Sequence, residues 1–183
     1  SWAAVFQLLG GLAVPVFAFL LVEGFLHTKS FRRYLLRMLL FALVSEVPFD
    51  FAMDGKLLDW TQQNMLFTLA VGLIMLYGMK TFSASRVVQV LIAIAAVFWC
   101  ALMKTQFGLC MILLIAVYYL LRDQKSKLWV GGVISLMYVT GPVSVFLLKR
   151  YNGRPGDGPN KYLFYCLYPL ILLILGVITY VIA

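Results

Sequence analysis

The sequence predicts an all-α fold, a polytopic integral membrane helical bundle with about seven transmembrane helices. Hydrophobic residues make up 63% of the chain and charged residues only 12%, whereas a soluble domain carries about 25% charged residues. Apolar runs of nearly bilayer-spanning length recur from one end of the sequence to the other. Because no polar linker separates two halves, residues 1–183 are predicted to form a single integral membrane domain.

The predicted spans are the apolar runs that remain between short polar or Gly/Pro-containing breaks. They cover residues 2–26, 34–47, 65–79, 87–103, 107–121, 128–148 and 162–182. Several are shorter than the roughly 20 residues that a bilayer of typical thickness requires. Pro48 is predicted to kink or end the second helix, and Lys104–Gly108 is predicted to form a tight turn. The chain begins at Ser1 without Met, and an upstream segment is therefore expected to be missing.

The charges predict which ends of the helices face the cytoplasm. The formal net charge is +8, and most basic residues follow the first, third and fifth spans. The residues on that side are Lys29, Arg32, Arg33, Arg37, Lys80, Arg86, Arg122, Lys125 and Lys127. Positive loops of membrane proteins face the cytoplasm, so the lipid bilayer is the predicted partner and nucleic acid is not. The last basic loop, from Lys149 to Lys161, falls on the opposite side under strict alternation, and the topology there stays open.

Glu23 and His27 form the first candidate for a catalytic acid–base pair. They are four residues apart near the end of an apolar helix, which puts both side chains on one face. Ionisable residues inside a membrane are rare and usually mark a functional pathway, and a carboxylate can orient an imidazole for acid–base work. The alternative is that His27 only marks the helix end at the headgroups. Arg37 lies one turn inside the next apolar run and therefore needs a partner.

A second group of polar residues surrounds the end of the second span. Glu46 and Asp50 would share a helix face if the helix continued past Pro48, and together they would line a polar cavity. The alternative is that they end the helix at the water interface, as is expected of Asp54 and Asp59. Asn64 begins the next apolar run, where it would either cap that helix or point into a site.

Other sites of known chemistry have no signature in the sequence. There is no Ser nucleophile elbow, Walker motif or zinc signature, and no metal is expected. The three cysteines, Cys100, Cys110 and Cys166, lie in apolar segments without metal-ligand spacing. They are expected to be buried thiols.

Three stretches together resemble the TraX family of bacterial membrane proteins. They are LAVPVFAFLLVEGFLHTKSFRRYLLRMLLFALVSEVPFDFA, QNMLFTLAVGL and KYLFYCLYPLILL. The resemblance runs over nearly the whole chain and is most specific through residues 13–52. It implies an acyltransferase of the bacterial inner membrane that passes an acetyl group from cytoplasmic acetyl-CoA to an amine or hydroxyl acceptor. The family's namesake is associated with N-terminal acetylation of conjugative pilin, so a pilin-like protein is the implied partner.

The resemblance, joined to the needs of acyl transfer, assigns roles to particular residues. Acyl transfer requires a base for the acceptor and a donor for the developing oxyanion. His27 backed by Glu23 is the candidate base, and Arg37 or Asn64 would orient the thioester carbonyl. The phosphates of acetyl-CoA would be held by Lys29, Arg32 and Arg33, and the acceptor by Glu46 and Asp50.

The sequence also departs from the family pattern. Family members usually begin with another span that carries an Asp-His pair, and this sequence contains none. Gly11, Gln106 and Ile171 replace the Arg, Asp and His that the pattern leads one to expect. The departures favour an alternative, a catalytically silent membrane subunit that binds partner proteins in a larger complex. A small transporter or channel ranks third, since no inverted repeat supports it; its proton or ion path would consist of Glu23, His27, Glu46 and Asp50.

Overall fold

The protein is an assembly of α-helices, shown by a computed structural model. The structure describes residues 2–55, 59–122, 124, 126–137, 143–150 and 161–182. Its helices are α1 (Trp2–His27), α2 (Phe31–Asp54), α3 (Met65–Thr81), α4 (Arg86–Leu102), α5 (Gly108–Leu120), α6 (Lys127–Ile134), α7 (Ser144–Lys149) and α8 (Lys161–Ile182). Within these residues the β-structure is one isolated bridge, between Gln63 and Thr105. The prediction of an all-α fold is therefore confirmed.

The helix boundaries follow local signals in the sequence. Asn64 caps α3 by accepting a hydrogen bond from the Leu66 amide, and Ser85 caps α4 in the same way through Val88. α2 ends at Gly55, whose φ of 67° is the left-handed conformation that glycine adopts without strain.

Of the two effects predicted for Pro48, an end to the second helix is wrong, whereas a kink stays a prediction. α2 runs through Pro48 to Asp54, with the proline ring buried. A proline inside a helix removes the hydrogen bond to the carbonyl four residues earlier and its ring crowds that carbonyl, and burial of Pro48, Phe49 and Asp50 offsets this cost. Because α2 continues, Asp50 is a buried helical residue and does not end the helix at the water interface.

The core lies where α1, α3 and α5 pack together, with α4 on one side of them. Leu73 and Leu76 of α3 and Met111, Leu114 and Ile115 of α5 are fully buried there. α3 and α5 approach closely at Gly72, where an added Cβ would lie 2.5 Å from Ile115 Cδ1. Small residues allow helices to come this close. α8 packs along α2.

The sixth predicted span, residues 128–148, is not one helix. α6 ends at Ile134, the 3₁₀ turn Ser135–Met137 follows, and α7 begins at Ser144. The sequence Gly141-Pro142 is a helix-breaking pair that the span prediction passed over; residues 138–142 lie outside the described part of the chain. The flexible loop that the glycines and prolines of residues 153–159 predict lies outside it as well.

The membrane part of the fold prediction is a separate matter from the helix content. Within the described part of the chain, no helix has both the length and the apolar character required to cross a membrane.

The cysteine prediction is correct for Cys100 and Cys110, which are buried free thiols. It is wrong for Cys166, which lies exposed on the outer side of α8.

A substitution at Gly131 of α6 would test how closely α6 packs on α5. An added Cβ would lie 2.5 Å from both Cε1 and Oη of Tyr118, whose buried ring packs edge to face on Phe19 with centroids 5.6 Å apart. Because Tyr118 has no room to move, we expect Gly131→Ala to lower the Tm by at least about 3 °C. Gly78→Ala is the matched control, since its nearest neighbour is the flexible tip of Ile92 at 3.3 Å. Equal Tm values for the two variants would contradict this packing.

Candidate functional site

The polar residues singled out in the sequence lie in two clusters at different levels of α2. The first, which we call the basic pocket, is lined by Thr28, Lys29, Ser30, Arg33 and Arg37. The second, which we call the carboxylate cluster, consists of Glu46, Asp50, Asn64 and Tyr168. At about 1.5 Å per helical residue, Arg33 and Glu46 are roughly 20 Å apart along the axis of α2.

The basic pocket is a depression of about 280 Å³ between the end of α1 and the start of α2. Ser30 precedes α2 without capping it through its side chain, so the first amides of the helix remain available for an anion. Nε of Arg37 is buried and has no hydrogen-bond partner in the described part of the protein. An anion in the pocket would give this nitrogen the partner it lacks. Two of the predicted phosphate ligands, Lys29 and Arg33, line the pocket, whereas Arg32 does not.

Glu23 and His27 lie at the end of α1, on one helix face. His27 Nδ1 is 2.8 Å from the backbone carbonyl of Glu23, and donates to it when that nitrogen carries the proton. The Glu23 carboxylate lies farther away, with Oε2 3.9 Å from Nδ1, so it contacts the imidazole as an ion pair only when His27 is protonated. The His27 side chain is 61% exposed and that of Glu23 is 17% exposed. In the tautomer with the proton on Nδ1, Nε2 is free to act as a base.

Asn64 connects α3 to α2 in the carboxylate cluster. Its Nδ2 donates to the Ala42 carbonyl at 2.8 Å and to Glu46 Oε2, while its Oδ1 accepts from the Leu66 amide at 2.9 Å. The backbone amide of Asn64 also lies 3.4 Å from Glu46 Oε2. Since both ends of this fully buried amide are in use, Asn64 acts as a helix cap and a tether in this state. Its predicted role in orienting a thioester stays a prediction.

Asp50 fixes the chain that leads from α2 to α3. Its Oδ2 accepts from the Asp59 amide at 2.7 Å, and Asp59 Oδ1 in turn accepts from the Thr61 amide at 2.9 Å. Asp50 is 1% exposed and faces the same side of α2 as Glu46. The spacing predicts that Asp50 shares a helix face with Glu46, but it does not predict the hydrogen bond between Asp50 and the Asp59 amide.

Ser45 and Tyr168 belong to this region, although sequence reasoning gave them no role. Ser45 is fully buried, and its Oγ has no hydrogen-bond partner among the described residues. Tyr168 of α8 lies close enough to Glu46 for an electrostatic interaction with its carboxylate. The sequence signal for Tyr168 is the Tyr-Pro pair that it forms with Pro169 inside an apolar helix.

The three departures from the family pattern lie apart from one another. Gln106 is in the turn before α5, where its amide donates to the Gln63 carbonyl at 2.9 Å and its carbonyl accepts from Thr68 Oγ1 at 2.7 Å. Gln106 makes both contacts with its backbone atoms, so the identity of its side chain does not affect them. Gly11 is buried in α1, and Ile171 is exposed on α8. The predicted turn at Lys104–Gly108 is confirmed, with left-handed φ values at Lys104 and Phe107.

Metal binding has no support in the described part of the chain. No group of three or more His, Cys, Asp and Glu side chains there is arranged to hold a metal ion. Charge in the two clusters is instead cationic in the basic pocket and anionic around Glu46. The arrangement suits a phosphorylated ligand at one level of α2 and a hydrogen-bond donor or cation at the other.

Comparison with known proteins gives a family and one informative relative. The chain is 35% identical over 77 residues to a "Probable fimbrial assembly protein FimC, serogroup H1" from Dichelobacter nodosus. The match covers 38% of this chain and 32% of that relative, so it spans about a third of the relative's length. No solved structure matches the chain. A family model described as "TraX protein" matches residues 2–179, nearly the whole sequence, and the chain therefore belongs to the TraX protein family.

Proposed function

We propose that the protein is a membrane-embedded acetyltransferase that moves an acetyl group from cytoplasmic acetyl-CoA to an amine or hydroxyl acceptor such as a pilin N-terminus. Membership of the TraX family supports a role connected with pili or conjugation. The name of the fimbrial assembly relative points in the same direction. The acetyl donor and the chemistry of transfer are inferred from the family resemblance and from the basic pocket.

The distribution of exposed apolar residues supports a location in the bilayer, within the bacterial inner membrane. α4 presents a row of exposed apolar side chains that includes Val87, Leu91, Ile94, Phe98 and Leu102. α8 presents a second row that includes Leu170, Ile171, Ile174, Val177 and Ile178. Soluble monomers rarely expose continuous apolar patches of this kind, and such patches mark membrane or protein contacts. Lipid is the proposed contact for both rows.

The basic pocket is the observation that carries the proposal. Lys29, Arg33 and Arg37 surround a depression at the uncapped start of α2, and guanidinium groups bind phosphate through paired hydrogen bonds. The three phosphates of acetyl-CoA require such a cluster of donors. The pocket faces the side to which the basic loops assign the cytoplasm, where acetyl-CoA is found.

The alternative, a catalytically silent subunit, has one structural observation in its favour. Asn64, one of the predicted catalytic residues, has both ends of its side-chain amide occupied by internal hydrogen bonds. A protein that only binds partners needs no free donor at that position. This alternative expects a stable co-purifying protein and no saturable binding of acetyl-CoA.

Transfer of a labelled acetyl group tests the proposal. The purified protein in lipid vesicles would be incubated with acetyl-CoA carrying a labelled acetyl group and with two peptides. One peptide has a free N-terminus, and the other has a blocked N-terminus and a serine hydroxyl. We expect label on at least one of them, and the pair separates an amine acceptor from a hydroxyl acceptor. Label on neither peptide, together with a co-purifying partner, would favour the silent subunit.

A further inference from the structure

We infer that Glu46 is the general base of the transfer, and that the acetyl group is passed on at the carboxylate cluster rather than beside His27. This inference rests on the proposed acetyl transfer and adds to it the place and the group that take the acceptor's proton. The family resemblance assigned Glu46 only to acceptor binding.

The first observation is the unequal use of the two carboxylate oxygens of Glu46. Oε2 accepts from Asn64 Nδ2, which fixes the orientation of the carboxylate. Oε1 has no hydrogen-bond partner among the described residues, and it is shielded from water because Glu46 as a whole is only 9% exposed. A buried acceptor without a partner is unfavourable, so a ligand that offers an N–H or O–H to Oε1 would be stabilised there.

The second observation is the set of groups around Glu46. Ser45 Oγ is also buried without a partner among the described residues, and Asp50 lies one turn along the same face of α2. Within the described part of the protein, no Lys, Arg or His side chain forms an ion pair with Glu46. The carboxyl group is thus oriented by Asn64, and no cation there competes with a proton for it.

The third observation is the separation of the two clusters. The phosphates and the thioester lie at opposite ends of acetyl-CoA, joined by the flexible pantetheine arm. His27 and the basic pocket share the same end of α2, next to where the phosphates would be held. Glu46 lies roughly 20 Å along the helix axis from Arg33. A donor anchored in the pocket would therefore bring its thioester closer to Glu46 than to His27 if its arm follows α2.

The proposed step balances in atoms and charge. The nitrogen of a neutral primary amine attacks the thioester carbonyl carbon, so that a C–N bond forms and the C–S bond breaks. The electron pair of the C–S bond leaves with sulfur as the thiolate of coenzyme A. Glu46 Oε1 accepts the surplus proton of the nitrogen and then passes it to the thiolate. The products are the acetylated amine and free coenzyme A.

Glu46→Gln is the decisive variant. Glutamine keeps an oxygen for the Asn64 hydrogen bond and removes the ability to accept a proton. We expect Glu46→Gln to lose at least about 100-fold in the rate of acetyl transfer to the free-amine peptide, with unchanged acetyl-CoA affinity and Tm. Asp54→Asn is the matched control, since it neutralises another carboxyl of α2, eight residues beyond Glu46, and it should retain transfer to within about tenfold. His27→Ala tests the rival base.

The outcomes separate this inference from the proposed function. Full activity in Glu46→Gln, or loss of activity only in His27→Ala, would overturn the assignment of Glu46 and leave acetyl transfer standing. A wild-type protein that binds acetyl-CoA but transfers nothing would also overturn it, because there would be no step for a base to assist. Absence of acetyl-CoA binding in folded wild-type protein would remove the proposed function itself. A fall in the Tm of Glu46→Gln would be resolved by Glu46→Asp, which keeps the carboxylate and should recover part of the transfer rate.

Discussion

Asn64→Ala is expected to destabilise the protein by about 2–4 kcal/mol, because it removes a hydrogen bond to a buried carboxyl group together with a helix cap. The substitution removes the donor to Glu46 Oε2, the donor to the Ala42 carbonyl and the cap on the Leu66 amide. It also leaves an empty space at a fully buried position. The free energy of unfolding, measured by denaturant titration in detergent micelles, is the appropriate readout.

Two further variants divide this loss into its parts. Ser85→Ala removes only a helix cap, at the start of α4, and should cost about 1 kcal/mol. Asn64→Ser retains a capping oxygen but is too short to reach Glu46, so it should recover about 1 kcal/mol of the loss in Asn64→Ala. A loss in Asn64→Ala no larger than that in Ser85→Ala would show that the tether between α3 and α2 contributes little.

Arg33→Ala is expected to weaken acetyl-CoA binding by about 10- to 100-fold, the effect of losing hydrogen bonds to a charged group. Arg33 lines the basic pocket, whereas its neighbour Arg32 does not. Arg32→Ala removes the same charge one residue away and should weaken binding less than about fivefold, because a solvent-screened charge that makes no direct contact contributes little. Calorimetric titration of the two variants under one salt condition makes the comparison.

This pair of variants also distinguishes a built pocket from a general attraction of anions by the basic end of the bundle. A general attraction would make Arg32→Ala and Arg33→Ala equally harmful and would decline steeply with added salt. A pocket makes the two variants differ at any salt concentration. Equal losses would therefore contradict the assignment of the phosphate site to the basic pocket.

Much of the helical fold follows from the sequence because its apolar runs are separated by clear stop signals. The predicted third and fifth spans, residues 65–79 and 107–121, agree within about two residues with α3 and α5. Asn64 and Ser85 have the capping chemistry that starts a helix. The break in the sixth span was missed because an apolar run of normal length outweighed the Gly-Pro pair inside it. α2 continues through Pro48 because burial of this segment can offset the lost hydrogen bond and the crowding of the carbonyl four residues earlier.

The candidate site was predicted only in part, because hydrogen bonds between helices depend on how the helices pack. Spacing places Glu23 with His27 and Glu46 with Asp50 on common faces. It does not reveal that Asn64 contacts Glu46, nor that Tyr168 approaches from the far end of the chain. Arg32 and Arg33 are equivalent in the sequence. They differ in the structure because adjacent helical residues point about 100° apart, so that only Arg33 faces the pocket.

The central claim, that the basic pocket holds the phosphates of the acetyl donor, is tested most directly with wild-type protein and two ligands. One is acetyl-CoA, and the other is S-acetylpantetheine, which carries the same thioester and arm without phosphates. We expect saturable binding of acetyl-CoA by calorimetry and binding of S-acetylpantetheine at least about 100-fold weaker, since the phosphate contacts are absent. Equal affinity for the two ligands, or no binding of acetyl-CoA by protein shown to be folded, would contradict the claim.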